Sequence, residues 1–203
     1  MDEYRNTNYA YEHDDYYCYP GSNVLKNKLG ITNAELFEQA ERKITYLRTM
    51  EAMKDQIPGG FDYNHLKKIH LFLFGDIFEW AGKPRTVNIS KGTQFCRVEY
   101  IDEQIERVFA ELSGEKYLKE LLSREQVVKR LAYYLGEINA VHPFREGNGR
   151  TQRIFIYYLA HTLGYELDFS KVNSKDMILA SAKAFNTDYS MMEEILGKII
   201  SDK

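Results

Sequence analysis

The chain lacks the features that mark several large classes of protein. It has only two cysteines and four prolines in 203 residues, and Cys18 and Cys96 lie far apart without metal-ligand spacing. We therefore expect no disulfide framework, and a reducing compartment such as the cytoplasm suits the count. No apolar run reaches the ~18 residues that a membrane span requires, so we expect no membrane contact.

An excess of basic charge is also lacking. Lysine and arginine number 27 against 30 aspartates and glutamates, which gives a formal net charge of -3. Dedicated nucleic-acid-binding domains usually carry a strongly basic face, so we expect no nucleic-acid partner. The first residues are acidic and rich in tyrosine instead of apolar, and we do not expect them to act as a signal peptide.

The length and the hydrophobic content of 44% fit one globular domain. Pro20 and Gly21 mark a turn, so residues 1–19 are predicted to form an N-terminal arm and residues 20–203 the domain itself. Six of the sixteen tyrosines fall in this arm. Their rings either pack on the body or supply hydroxyl groups for modification.

Apolar residues at helical spacing dominate the domain. Helices are predicted at about 32–53, 62–82, 102–113, 124–140, 149–163, 173–186 and 188–201. The residues predicted to face the core in the first two helices are Leu36, Phe37, Ala40, Ile44, Leu47, Leu66, Ile69, Leu73, Ile77 and Trp80. Residues 86–97 differ, because β-branched and aromatic residues flank a glycine-containing turn, which predicts a hairpin. The predicted fold is all-α with one small β-hairpin.

The stretch HPFREGNGRTQR, residues 142–153, concentrates polar chemistry at the start of a predicted helix. Helix N-termini expose unpaired N–H groups and the positive end of the macrodipole. Gly147 and Gly149 have no side chains, so a phosphate can approach their N–H groups closely. Arg150 and Arg153 are three positions apart, hence on one helix face, where two guanidinium groups can bind a polyphosphate.

Two further side chains of this stretch suit catalysis. Glu146 is an anion among cations and fits a divalent metal that bridges phosphate oxygens. His142 precedes the loop, and an imidazole can take a proton from an incoming hydroxyl near neutral pH. Each residue alone has a structural interpretation, such as a helix cap for Asn148 or a solvated arginine pair. The joint pattern instead predicts phosphoryl or nucleotidyl transfer to a hydroxyl.

HPFREGNGRTQR resembles the signature of the Fic family, and every specified position matches. The similarity extends to the preceding helix (YYLGEINAV), to the hairpin (TVNISKGTQFC) and to YPGSNVLKNKLGI, which looks like bacterial Fic toxins. The resemblance implies a mainly helical Fic fold. It also implies a protein adenylyltransferase, which moves AMP from ATP to a Ser, Thr or Tyr hydroxyl of a target protein and releases pyrophosphate.

The resemblance also implies a role for each motif residue. His142 would deprotonate the target hydroxyl, and Glu146 would position Mg²⁺ between the α- and β-phosphates. Asn148 and the backbone of Gly147 and Gly149 would line an anion hole. Arg150 and Arg153 would contact the triphosphate, with Arg153 assigned to the γ-phosphate. The hairpin would be a flap that docks the target as an added strand, the alternative being a plain edge hairpin. The flap residues expected to dock the target are Ile89, Lys91, Gly92, Thr93 and Phe95.

The sequence matches only part of the motif by which many Fic proteins are inhibited. Many Fic proteins carry an inhibitory helix, Ser/Thr-x-x-x-Glu-Gly/Asn, whose glutamate pairs with the second motif arginine. Ser190 and Glu194 have this spacing, but Ile195 replaces the final Gly or Asn. We therefore expect inhibition by a separate small antitoxin, with autoinhibition through Glu194, or no restraint, as the alternatives. Self-association into a homo-oligomer and delivery into other cells are left open.

Two other functions remain open at this point. Some Fic-fold proteins transfer phosphate, UMP or phosphocholine, although the phosphate-transferring branch departs from the second motif glycine, which is present here as Gly149. A catalytically inert module that binds nucleotide would not need the base and the metal ligand. A zinc site is not expected, because the five histidines show no ligand spacing.

Overall fold

The structure of the chain is a computed structural model, and it describes residues 10–11, 16–91 and 93–203. Within those residues seven α-helices surround one apolar core, which confirms the mainly helical prediction. The helices are α1 (Ala34–Lys54), α2 (Tyr63–Phe74), α3 (Ile101–Gly114), α4 (Arg124–Val141), α5 (Asn148–Thr162), α6 (Ser174–Phe185) and α7 (Ser190–Ile199). None of these helices is both long and apolar enough to cross a membrane.

The centre of the body is formed by α4 and α5. A capping box starts α4, in which Ser123 accepts from the N–H of Gln126 and the Gln126 side chain accepts from the N–H of Ser123. Helix α4 packs against α3, α5, α6 and α7, and α5 packs against α1 and α2. The link between α4 and α5, residues 142–147, therefore lies where most helices of the domain converge.

The predicted hairpin is present and is shorter than residues 86–97. It consists of β2 (Ile89–Lys91) and β3 (Thr93–Gln94), which pair antiparallel. A third strand, β1 (Ala10–Tyr11), pairs with the other edge of β2, so the strand order is β1-β2-β3. We call residues 86–97 the flap. The rest of the predicted arm up to residue 15, and Gly92, lie outside the described residues.

The second predicted helix, 62–82, is wrong at its C-terminal end. Asp62 caps the N-terminus of α2, but the helix stops at Phe74 and the chain turns through residues 75–82. Glycine favours helix ends over helix interiors, and Gly75 occupies the C-cap. Ile77 and Trp80 are buried as predicted, although they lie in the turn that follows the helix and not in the helix itself.

The predicted apolar face of α1 is also partly wrong. Phe37 is buried, but Leu36 and Leu47 are 59% and 62% exposed. The face that turns inward carries the polar residues Glu41 and Thr45 instead. Apolar periodicity could not identify this face, because the group that it meets is an arginine of the motif.

A second sheet was not predicted. Strand β4 (Tyr165–Leu167) follows α5 and pairs antiparallel with β5 (Ile200–Asp202), which follows α7. These strands have three residues each, which is too short for a recognisable alternation. The pairing ties the C-terminal end of α5 to the end of the chain.

Candidate active site

The motif loop, residues 142–147, is held in a conformation that needs specific residues. His142 ends α4 in the left-handed region, with φ 50°, and its N–H donates to the carbonyl of Ile138. Gly147 begins α5 with φ +81°, and a Cβ at this position would lie 2.3 Å from Cζ of Phe74. Both the backbone angle and the close approach of Phe74 require glycine there.

Hydrogen bonds close the loop on itself. The amide of Asn148 accepts from the N–H of Phe144 at 2.9 Å and donates to the carbonyl of Phe144 at 2.7 Å. Phe144 is buried and anchors the loop in the core. Because both polar atoms of the Asn148 side chain serve the loop, this residue offers a ligand its backbone N–H. Its place in an anion hole stays a prediction.

His70, on α2, supports the loop from below and was missed by the sequence reasoning. Its Nε2 donates to the carbonyl of Glu146 at 2.9 Å, and its Nδ1 accepts from the N–H of Gly82 at 2.8 Å. The ring also stacks on Phe144, with centroids 3.9 Å apart. Complete burial lowers the pKa of His70 to about 3, so the ring is neutral and its tautomer is fixed. Nothing in the spacing of the histidines indicated this role.

The proposed base is oriented by α4 and by the flap. Nδ1 of His142 lies 3.3 Å from the carbonyl of Asn139. A carbonyl can only accept, so the proton resides on Nδ1 and the lone pair on Nε2. The His142 ring stacks on Phe95, with centroids 3.9 Å apart and planes 18° apart. The structure therefore brings the predicted base and one predicted flap residue into direct contact.

The N-terminus of α5 is the predicted phosphate-binding site, which we call the anion cradle. The N–H groups of Asn148, Gly149 and Arg150 have no acceptor among the described residues. The half-buried guanidinium of Arg153 lies beside them, since a Cβ on Gly149 would be 3.2 Å from its Nη1. Arg153 has no hydrogen bond or ion pair within the described part of the chain. Burial, and then the charge of Arg150, lowers the pKa of Arg153 to about 10, so it remains a cation at neutral pH.

Arg150 is engaged very differently from Arg153. Its Nη1 donates to Glu41 at 2.5 Å and to Thr45 at 3.0 Å, and its Nη2 lies 3.5 Å from Glu146. Burial raises the pKa of Glu41, although the charge of Arg150 acts against this shift. A cleft of about 550 Å³ opens between α1 and the motif beside Glu146 and Arg150. Sequence reasoning missed Glu41, because no local pattern links it to the motif.

Glu146 was the predicted metal ligand. Its Oε1 accepts from the N–H of Gly147 at 2.9 Å, and its Oε2 makes no hydrogen bond to a described residue. No group of three metal-ligating side chains occurs in the described ranges. Mg²⁺ is usually held by one or two carboxylates together with phosphate oxygens, so a single carboxylate fits an ion that arrives with a nucleotide.

The remaining flap residues occupy separate places. Ile89 is buried at the start of β2. Lys91 ends β2 and Thr93 begins β3, where they form one pair of the register. Gly92 lies outside the described residues. The sequence therefore predicted the pairing of the flap, while its contact with His142 through Phe95 emerges only from the structure.

Comparison with known proteins gives the relatives of this chain. Residues 60–160 match the model of the Fic/DOC family. The chain is 38% identical over 188 residues to the protein named "Probable protein adenylyltransferase y4lH" of Sinorhizobium fredii, across 92% of this chain and 96% of that protein. The chain belongs to the Fic/DOC family.

Solved Fic structures superpose on nearly the whole chain. The N-terminal Fic domain of a VirB-translocated Bep effector from Bartonella quintana, with bound ADP, gives a TM-score of 0.87 at 29% identity and covers 93% of this chain and 96% of that one. BepC from Bartonella tribocorum, with bound AMPPNP, gives 0.86 at 26% identity and covers 93% and 98%. The agreement extends well beyond the family match to residues 60–160, so the Fic fold includes α1, α6 and α7.

Proposed function

We propose that this Fic protein is a protein adenylyltransferase, which transfers AMP from ATP to a hydroxyl of a target protein and releases pyrophosphate. The observation that carries the proposal is an oriented imidazole, His142, next to an anion cradle in which Arg153 has no counter-ion among the described residues. The names of the relatives support the reaction, and the ADP and AMPPNP bound by the two Bartonella domains support ATP as the source of the group.

In the proposed reaction, Nε2 of His142 takes the proton of the target hydroxyl as the oxygen attacks the α-phosphorus. The new bond joins this oxygen to phosphorus, and the bond from the α-phosphorus to the bridging oxygen breaks, so that pyrophosphate leaves. The N–H groups of Asn148, Gly149 and Arg150 and the positive end of the α5 dipole stabilise the charge on the phosphates. We assign Arg153 to the γ-phosphate and Arg150, held by Glu41, to the side of the triphosphate.

The proposal includes Mg²⁺ bound with the nucleotide. Glu146 would hold the ion through Oε2, which has no partner in the described residues, while Oε1 stays on the N–H of Gly147. When bound, the ion would neutralise charge on the phosphate oxygens. The role of Glu146 is therefore to position the triphosphate, and the base remains His142.

The flap would dock the target by strand addition. Strand β2 is already paired on both sides, by β1 and by β3. Strand β3 has no second strand partner among the described residues, and it leads into Phe95, which stacks on His142. We therefore propose that the target segment pairs along β3, where its hydroxyl comes close to His142.

We also propose that inhibition comes from a separate antitoxin chain and that the reaction takes place in the cytoplasm. Glu194, the candidate for autoinhibition, is exposed and is bonded to Lys198 at 2.6 Å. Arg153, which an inhibitory glutamate would pair with, has no partner within the described ranges. Self-association and modification of the tyrosines in the arm remain predictions.

The proposal is tested with ATP labelled at the α-phosphate, Mg²⁺ and a cell lysate, with wild type beside His142→Ala. We expect labelled protein bands with wild type and a loss of about 10²–10⁴-fold in the variant, because the general base is gone. ATP affinity, measured by titration calorimetry, should be little changed. Labelling from the γ-phosphate instead, or no labelling by wild type, would contradict the proposal.

A further inference from the structure

Arg85 is a buried cation whose side chain bonds to backbone carbonyls. It is 3% exposed and stands between α2 and the flap. Its Nε donates to the carbonyl of His142 at 2.9 Å, and its Nη1 donates to that of Val87 at 2.8 Å. Its Nη2 donates to the carbonyls of Cys96 and Val141. No carboxylate of a described residue pairs with it.

The four carbonyls belong to two functional parts. Those of Val141 and His142 lie in the last turn of α4, where helix carbonyls lack intrahelical partners and a cation is favoured. Those of Val87 and Cys96 lie at the two ends of the flap. A guanidinium presents five donors in one rigid plane, so it fixes these two parts relative to each other. Lysine has the charge but cannot span both sides in this way.

We propose that Arg85 is a positioning residue that sets the flap against His142 and so aligns the docked hydroxyl with the base. His142 is in a left-handed conformation that few residues other than glycine adopt, and Arg85 holds its carbonyl. Phe95, next to the Cys96 that Arg85 also holds, stacks on the ring of His142. The inference rests on the proposed function, since alignment matters only if a target hydroxyl reacts there.

The decisive variant is Arg85→Lys, with Arg124→Lys as the matched control. Arg124 is exposed, lies at the opposite end of α4 from His142 and also donates to a backbone carbonyl, that of Ile200. In Arg85→Lys we expect AMP transfer to lysate proteins at saturating ATP and Mg²⁺ to fall about 10²-fold, as for a small misplacement of reacting groups. The affinity for AMPPNP should not change, and Arg124→Lys should keep the wild-type rate.

A double-mutant cycle on the transfer rate distinguishes a positioning role of Arg85 from a general loss of structure. Arg85→Lys and Phe95→Ala remove two links between the flap and the base, so their effects on the transfer rate should be far from additive. The imidazole ¹⁵N signals of His142 should also shift in Arg85→Lys, independently of any activity. If the wild type transfers no label, the proposed function fails, while the ¹⁵N signals still report on the link.

Chemical rescue provides a second test, which remains informative if the lysine variant misfolds. Guanidinium ion should restore part of the activity of Arg85→Ala, whereas methylammonium at equal ionic strength should not. The proposal is overturned if Arg85→Lys retains the wild-type rate, if AMPPNP affinity falls in parallel with the rate, or if the effects of Arg85→Lys and Phe95→Ala simply add.

Discussion

The motif loop and the flap meet at His142 but are built in opposite ways. Buried side chains hold the loop from several directions: His70 bonds to it from α2, Asn148 closes it and Phe74 leaves room only for glycine at 147. The flap consists of two short strands joined by main-chain pairing. The difference fits the proposed reaction, because the nucleotide is the same in every turnover whereas main-chain docking tolerates varied target sequences.

The same contrast exists inside the motif, between its two arginines. Arg150 is paired with Glu41 and belongs to the packed body, while Arg153 is left without a partner in the described structure. An unpaired half-buried cation lowers stability. A ligand of opposite charge would supply the missing partner of Arg153. Removing Arg153 should therefore affect ligand binding, whereas removing Arg150 should affect the stability of the fold.

Replacing each arginine by alanine tests this contrast and should give the largest effects. Arg153→Ala should weaken ATP binding by about 10–10²-fold, since charge-assisted hydrogen bonds contribute about 1.5–3 kcal/mol. Its melting temperature should not fall, because the variant removes a desolvated charge. Arg150→Ala should instead unfold at a lower temperature, because it leaves Glu41 buried and unpaired at a cost of about 3 kcal/mol.

Calorimetry of ATP binding and thermal unfolding of both variants provide the measurement. Arg42→Ala on α1 is a suitable control, since Arg42 is exposed and pairs with Glu38 on its own helix. Equal loss of stability in the two motif variants would show that the structure misassigns their partners.

A substitution in the flap should have a smaller effect and a different signature. Phe95→Ala removes the ring that stacks on His142, so the target hydroxyl and the base lose part of their alignment. We expect AMP transfer to fall about tenfold, which is less than the loss expected for the base itself. ATP affinity should be unchanged. The labelling assay and calorimetry check this, and a loss of ATP affinity would mean that the flap shapes the nucleotide site as well.

The two regions also differ in how far the sequence predicted them. The residues of the motif lie in twelve consecutive positions, 142–153, so their chemistry was visible before the structure was known. Their supports come from distant parts of the chain: His70, Arg85 and Glu41 reach the motif from 76, 57 and 109 positions away. Long-range polar contacts leave no periodic signal in one sequence, and this is why these three residues were missed.

The same reasoning explains the errors in the fold. Apolar spacing predicted the buried residues Leu66, Ile69 and Leu73 of α2 correctly, because they pack in the apolar core. It failed on α1, where Glu41 and Thr45 point inward to an arginine. Apolar spacing also extended the predicted α2 past Gly75. The reason is that Ile77 and Trp80, which are buried in the turn after the helix, happen to continue the helical spacing.

Acid should lower the free energy of unfolding through His70, which supports the motif loop. The folded-state pKa of about 3 lies below the ordinary 6.5, so the unfolded chain takes up a proton that the folded chain does not. The free energy of unfolding is therefore fully retained above about pH 6.5 and falls with acidification by up to about 1.4 kcal/mol per pH unit. Urea unfolding at pH 7 and pH 5 measures this slope.

His70→Gln should flatten that slope without abolishing it, because burial also lowers the pKa of His65. Arg85 and Cys96, the described groups at the flap whose pKa is shifted, titrate in alkaline solution, so they do not contribute in this range. An unchanged slope in the variant would mean that His70 is protonated in the folded chain, which contradicts its two hydrogen bonds.

The smallest effect is expected at Glu194, on the C-terminal helix α7. Its carboxylate bonds to Lys198, and this side-chain hydrogen bond lowers the pKa of Glu194. Neither residue contacts Arg153 within the described structure, so Glu194→Gly should leave AMP transfer and self-modification at wild-type levels. Mass spectrometry after incubation with ATP and Mg²⁺ measures this. A large rise in self-modification would show that α7 restrains the site, and the separate antitoxin would then be unnecessary.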